Sequence, residues 1–396
     1  MENGQKNEGI LHDNRLMDHT PHLFENVESK QEFKPVHKTI SKKHQDQTLK
    51  ILAEKGVCPG SLAEEKTGYG ISTLRSVFFG KKVKPILPFP SPLVNERSAE
   101  RFLQNRKSIS IPGVHEKVSL IQEKNRLRLT EPNEFGTHLL KPIPRDLLRA
   151  DQVPANESLT LQIAKQVYGI AIAECALIFF ENEVPAFITK RFDQMATIET
   201  LSDEKRSVRD QKLAVEDFTS LLGLSPLTHG NNYKRESSYE TVGKTLKKYV
   251  PAWRIEIEKL FQRILFSFLF SNGNFHLKNI SLIETTSGDM ILSPAYDIKN
   301  TELHEETPVL SLQGGLFDDH FKSLDYEHFG YPSKIDFVEL ARRFEIPESR
   351  IHKILAPFIT KQPEVKSLID RSFLKEEVKK LYYVHYLTRL NYLEGT

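Results

Sequence analysis

The spacing of polar and apolar positions changes along this chain, and the changes divide it. Residues 1–48 are rich in Lys, Glu, Asn, Gln and His and show no sustained period. Such low hydrophobicity does not offset the entropy of ordering, which predicts a flexible arm. Residues 49–106 read as a small lead-in module. TLKILAEKGVCPG starts as a helix and meets the turn pair Pro59-Gly60, TLRSVFFG is a short helix closed by Gly80, and VKPILPFPSP crowds prolines into extended chain. Over 107–195 the period is two: SISI, KVSLI, RLRLT, THLLK, CALIFF and AFITKRF read as strands of a mainly antiparallel sheet. One helix interrupts them, NESLTLQIAKQVY, with Leu159, Ile163 and Val167 on one face. Over 196–396 the period becomes 3.6. KLAVEDFTSLLGL, SYETVGKTLKKYV, RIEIEKLFQRILFSFLF, KIDFVELARRF, ESRIHKILAPFI and FLKEEVKKLYYVHYLTRLNYL all carry helical apolar faces. The third is apolar almost all round at its end, which predicts a central, buried helix.

Composition narrows the class. A chain of 396 residues exceeds what one compact core holds, so two or more lobes are expected. The net charge is +2 with both signs interspersed, which predicts no direct nucleic-acid contact. Cys58 and Cys175 lack metal or disulfide spacing, which points to a reducing compartment. The N-terminus has no apolar signal region, and the longest apolar run, ILFSFLF, is too short to span a bilayer. A cytoplasmic protein without membrane contact is expected.

The candidate chemistry is concentrated in Ser271–Asn300, which directly follows the apolar helix. A polar loop comes first, with Asn274, His276, Lys278 and Asn279. Two short apolar runs, ISLI and MILS, then flank TTSGD as a hairpin that ends in Tyr296-Asp297. Asn279 and Asp297 supply oxygen ligands of the kind Mg²⁺ takes alongside phosphate oxygens, and Lys278 can neutralise a transferring phosphate. His276 suits a loop brace better than a proton carrier. Tyr296 suits either covering a nucleotide or plain packing. Upstream, SISIPGVHEKVSL can present backbone N–H groups and Lys117 to phosphate, and it is also an ordinary hairpin turn. Lys141 ends the THLLK strand where a phosphate-holding lysine would stand, or it is a solvated strand end. Glu157, on the next helix, is its candidate partner, although it also suits an exposed first turn.

Taken together and in this order, these strings resemble the HipA-family serine/threonine kinases, in particular the short HipT toxin branch, over about 58–300. YGISTLRSVFFGKKVKPILPF looks like the lead-in of that branch. The resemblance implies an α+β, bilobed protein-kinase-like fold with a β-rich small lobe and an all-helical large lobe. It implies ATP and Mg²⁺ as cofactors. SISIPGVHEKVSL matches the phosphate loop, which places Ser110, Pro112, Gly113, Val114, His115, Glu116 and Lys117 at the nucleotide and makes Ser108 and Ser110 the autophosphorylation motif. THLLKP assigns the ATP lysine to Lys141. KRFDQ assigns the hinge, with Lys190 and Phe192 at the adenine. HLKN and AYD assign His276, Lys278, Asn279, Tyr296 and Asp297 to the catalytic loop and metal site. The resemblance further implies a bacterial toxin that phosphorylates an aminoacyl-tRNA synthetase. A small HipS-like or HipB-like antitoxin would restrain it, and we expect such a partner to dock near residues 50–115. Delivery into a host cell is left open by the composition of the arm.

One position departs from the family. The pattern D-x-H-x-K-N here reads N-F-H-L-K-N, so Asn274 stands at the position of the catalytic Asp. An amide cannot accept the substrate hydroxyl's proton, and general-base catalysis is worth about 10²–10⁴-fold. Slow or absent transfer is expected, with nucleotide binding retained. A disabled copy of an active kinase and a natural pseudokinase, an ATP-binding regulatory or host-directed effector protein, both fit this departure.

Overall fold

The computed structural model describes residues 47–66, 68–92, 117–131, 134–194 and 212–394. The SISI string, Ser108, Ser110, residues 112–116 and all but the last two residues of the 1–48 arm lie outside the described residues.

Alternation in the strand region produces two different sheet faces. Strands β1 (Val118–Glu123), β2 (Arg126–Leu129), β3 (His138–Lys141), β4 (Cys175–Phe179) and β5 (Pro185–Lys190) form an antiparallel sheet in the order β2-β1-β3-β5-β4. Leu140, Ala176, Ile178, Ala186 and Ile188 face one side and pack with Tyr69, Val77, Phe78 and Leu87 of the lead-in. Cys175, Leu177 and Phe187 face the other side and pack with Leu159, Leu161 and Ile163. A strand with both faces buried needs two covering layers. The lead-in supplies one through a helix α2 (Ile71–Ser76), the residues after it and the proline segment, while its first helix, α1 at 47–55, sets Lys55 over the Phe373 ring. Hydrogen bonds fix it in place: Tyr69 Oη donates to Leu177 O (2.6 Å), and Gln122 Nε2 donates to Phe78 O (2.9 Å). The helix α3 (Val153–Gln166) supplies the other layer, beginning with Pro154 where a missing N–H costs nothing.

Helix α4 (Tyr239–Tyr249) is capped by Ser238, and helix α5 (Trp253–Leu269) runs through the large core. Phe266, Phe268, Leu269 and Phe270 are buried, as its all-apolar end predicts. Four further helices of eight residues or more follow, α6 (Lys334–Arg343), α7 (Glu348–Leu355), α8 (Pro363–Arg371) and α9 (Glu376–Glu394), besides the short helices Pro226–His229 and Leu324–Phe329. After α5 the chain reverses at Ser271, whose φ of 51° is left-handed. It then forms the hairpin β7 (Ser281–Glu284) and β8 (Met290–Leu292).

KLAVEDFTSLLGL departs from the helix that its spacing predicts. Val215–Asp217 is a strand, β6, paired antiparallel with β7, and only Phe218–Leu221 is helical. Asp217 holds extended dihedrals and accepts the Ser220 N–H (3.0 Å), which ends the strand and caps one turn. Short apolar runs fit either period, and the free edge of β7 decides this one.

Gly243 sits inside α4 against Phe344. A Cβ there would stand 2.3 Å from the ring. Gly243→Ala is therefore expected to destabilise the chain by about 1–3 kcal/mol in urea unfolding, despite alanine's better helix propensity. Adding Phe344→Leu is expected to recover part of that loss. A neutral or stabilising Gly243→Ala would contradict the packing.

Candidate active site

A cavity of about 230 Å³ lies between the sheet and the β6-β7-β8 hairpin layer. One end of it is built around Lys141, the last residue of β3. Lys141 is 9% exposed, and its Nζ donates to Glu157 Oε1 (2.5 Å) and to Asp297 Oδ1 (2.6 Å). Glu157 comes from α3 and is buried. Burial alone would push the Lys141 ammonium down, but Asp297 and Glu157 outweigh it and raise the pKa. Burial likewise pushes the Asp297 carboxyl up, while Lys141, Lys299 and Lys117 together hold it well below the usual range. Lys117 is pushed down to about 8 by burial and then by Lys141. Asp297 has φ 57°, a left-handed conformation that Asp tolerates better than most residues.

The loop after α5 is held from several sides. Arg389 Nε of α9 donates to Ser271 Oγ (3.2 Å), and Gly273 N donates to Thr301 Oγ1 (2.9 Å). Arg235 Nη1 donates to Gly273 O (2.9 Å). A Cβ at Gly273 would stand 2.4 Å from Thr307, so the close approach requires glycine. Asn279 Nδ2 donates to Asn274 O (2.8 Å), and Asn274 Nδ2 reaches Asp297 Oδ2 at 3.5 Å. His276 is buried, and among the described residues its Nδ1 has no hydrogen-bond partner. Burial and then Lys234 and Arg235 push it down to about 3, so it is neutral at pH 7.

The other predicted residues fall as follows. Lys278 Nζ lies 3.9 Å from Asp217 Oδ2 at the cavity wall. The Phe192 and Tyr296 rings stack at 5.5 Å, joining the end of the sheet to the Asp297 segment. The Tyr296 hydroxyl bonds Ser281 Oγ (2.5 Å) and donates to Lys278 O (3.1 Å). Lys190 borders the cavity, but its ammonium lies over the Phe79 ring of the lead-in at 4.2 Å. Thus Lys117, Lys141, Glu157, Phe192, Lys278, Tyr296 and Asp297 line one cleft, while Asn274 and Asn279 stand outside its lining, Asn274 against Asp297 and Asn279 against Asn274. Two residues here were missed in the sequence. Asp217 was absorbed into a supposed helix, although Asp before Phe-Thr-Ser is an N-cap signal. Lys299 looked like any polar lysine, and nothing in its spacing marks it as buried.

The donor set fits a magnesium ion that keeps phosphate and water oxygens. Asn279 spends its amide nitrogen on Asn274 O, which leaves its oxygen as an acceptor, and Asp297 adds one carboxylate. Among the described residues no cluster of three or more His, Cys, Asp or Glu could hold a metal unaided. One or two protein oxygens plus a ligand's phosphates is the usual magnesium arrangement.

Residues 109–365 match the HipA-like C-terminal domain. The chain belongs to that family. A protein of Haemophilus influenzae, named as a candidate kinase, is 24% identical over 332 residues, which cover 79% of this chain and 89% of that protein. Kinase Y4dM of Sinorhizobium fredii, also named only as a candidate, is 28% identical over 217 residues, or 53% of this chain and 49% of that protein. Among solved structures, the complex of HipA, HipB and operator DNA from Shewanella oneidensis MR-1 aligns with a TM-score of 0.54 at 17% identity. That alignment covers 88% of this chain and 80% of that one. The α+β, HipA-like kinase fold expected from the sequence is the fold of this family member.

Three buried histidines, His138, His276 and His304, are each pushed down by burial and give the stability a pH dependence. His276 is held near 3, and His138 is pushed down to about 4 by burial. Unfolded imidazoles titrate near 6.5, so the unfolded chain gains protons first as pH falls. Stability is full above about pH 6.5 and is lost below it. Between pH 7.5 and 5.5 His138 and His276 are each expected to cost about 1 kcal/mol in urea unfolding, and His276→Gln to reduce the slope. A flat profile would contradict the burial of these rings.

Proposed function

We propose that this chain is an ATP-dependent protein serine/threonine kinase of the HipT-like branch, the toxin of a bacterial toxin–antitoxin pair. In this reading an aminoacyl-tRNA synthetase is the protein substrate, and Asn274 leaves phosphoryl transfer weak or absent. The observation that carries the reading is the Lys141–Glu157–Asp297 cluster at the closed end of the cleft. Family membership and the candidate-kinase names of the two relatives support it. The solved HipA structure is a complex with HipB and operator DNA, which supports a small antitoxin here, of HipB-like or HipS-like kind, and the near-neutral charge of this chain fits no nucleic-acid contact of its own. No helix among the described residues is long and apolar enough to cross a membrane, and we place the protein in the bacterial cytoplasm.

Each residue has a part in the proposed reaction. Phe192 and Tyr296 wall the base end, while Lys141, oriented by Glu157, holds the α/β-phosphates. Asp297 and Asn279 are the metal ligands. Mg²⁺, when bound, would supply positive charge that neutralises the phosphate oxygens. Lys278 faces the transferring phosphoryl group. Asn274 stands where a carboxylate would take the hydroxyl's proton, and its amide instead points a donor at Asp297 Oδ2. That contact also favours the second reading, an ATP-binding regulatory protein, because it satisfies the acid without catalysis. Autophosphorylation at Ser108 or Ser110 would add about −2 charge to the phosphate loop and oppose ATP binding.

The test compares this chain with Asn274→Asp in γ-labelled ATP, with mass spectrometry at Ser108 and Ser110 and a panel of purified synthetases. The Asp form is expected to label itself and one synthetase at least about 10²-fold faster. Equal silence of both forms would leave the regulatory reading. Full activity of the unaltered chain would show that Asn274 does not limit transfer.

A further inference from the structure

We propose that Lys299, buried behind Asp297, is a built-in cation that lets this chain hold a nucleoside polyphosphate with little help from a divalent metal. The inference rests on the nucleotide-site reading above and assigns a residue to it that the sequence did not offer.

Lys299 is 1% exposed, among the largest fully buried side chains of the described residues. A buried ammonium is costly unless an opposite charge meets it. The ion-pair partner recorded for Lys299 is Asp297, with Nζ 3.7 Å from Oδ1. That same oxygen already takes Lys141 at 2.6 Å, and Oδ2 faces the Asn274 amide. Both oxygens of the one metal-type carboxylate are therefore engaged by donors from the chain itself. Lys117, Lys141, Glu157 and Asp297 line the cleft, and Lys299 lies behind them beside Pro142 and Val153 with its ammonium on Asp297, so five charged groups gather here. Three are ammonium groups and two are carboxylates, an excess of one positive charge with no metal present.

Asn274 contributes to that excess. A carboxylate at 274 would restore charge balance and set two like charges about 3.5 Å apart, a pair that calls for a cation between them. With an amide there, the surplus positive charge is available to phosphate oxygens. A divalent ion arriving at Asp297 would compete with Lys299 for Oδ1 and be repelled by it. The site therefore favours anionic phosphate over metal, and metal adds little to nucleotide affinity.

The experiment is a calorimetric titration of the full chain with ADP and with ATP, once in MgCl₂ and once in excess EDTA. The dissociation constants are expected to differ by less than about tenfold between the two conditions. Lys299→Met, which keeps length and removes charge, is expected to weaken binding at least about tenfold in EDTA and only a few-fold in MgCl₂. Binding in MgCl₂ that falls by more than about a hundredfold in EDTA overturns the inference and leaves the nucleotide site standing. Equal weakening of Lys299→Met in both conditions overturns it too, because it marks a merely structural lysine. No binding in either condition overturns the nucleotide reading itself. The unaltered chain decides the first comparison alone, so a variant that fails to fold does not remove the test.

Discussion

A lysine buried as deeply as Lys141 stays charged only where carboxylates are brought to it, and the fold brings two from distant parts of the chain. Glu157 arrives on α3, and Asp297 arrives 156 positions after the lysine. Breaking such a pair by removing one partner leaves an uncompensated buried charge, which typically costs about 3–5 kcal/mol. The cluster therefore does more than decorate a cleft. It ties the sheet, its covering helix and the post-hairpin segment to one point. The residue beside Glu157 adds a second tie: Asn156 Nδ2 donates to Asn300 O (2.8 Å), and Asn300 N donates to Asn156 Oδ1 (3.1 Å). Helix α3 is thus latched to the Asp297 segment by a charge and by a paired amide.

The loop that carries Asn274 depends on the same frame. It leaves a helix whose end is fully buried, turns at Ser271 and is pinned by Arg389, Thr301 and Arg235. Side chains mounted on so constrained a backbone keep their positions without a ligand. An amide for a carboxylate at 274 changes charge and proton affinity while the surrounding hydrogen bonds stay in place. The charge around Lys141 and Asp297 then shifts from balanced, with a carboxylate at 274, to an excess of one positive charge with the amide.

Much of this was legible in the sequence, for physical reasons that differ by region. Strands β1 to β3 were readable because Val118, Leu120, Leu127 and Leu140 enter one core only, so the period of two survives in KVSLI and RLRLT, whereas β4 and β5, buried on both faces, read as the apolar runs CALIFF and AFIT. The hairpin was readable because TTSGD separates two apolar runs. The strand β6 was not, because three residues carry no period and their partner β7 lies far along the chain. Lys141, Asn279 and Asp297 were found through motif order, and Glu157 through its place on the following helix. Lys299 and Asp217 were invisible, since burial of a charged residue is decided by neighbours that sequence spacing does not reveal. The side chain of Lys190 shows the same limit: its place at the end of β5 was legible, its contact with Phe79 was not.

The central claim is that the Lys141 cluster is a nucleotide phosphate site rather than a structural ion pair. Calorimetric titration of ATP into this chain and into Lys141→Met tests it most directly, with thermal melting of both as the control for folding. The account predicts saturable one-site binding to the unaltered chain and at least about tenfold weaker binding to Lys141→Met. Equal affinity of two folded proteins would contradict it, and would leave Lys141, Glu157 and Asp297 as a strut between the sheet and the helical lobe.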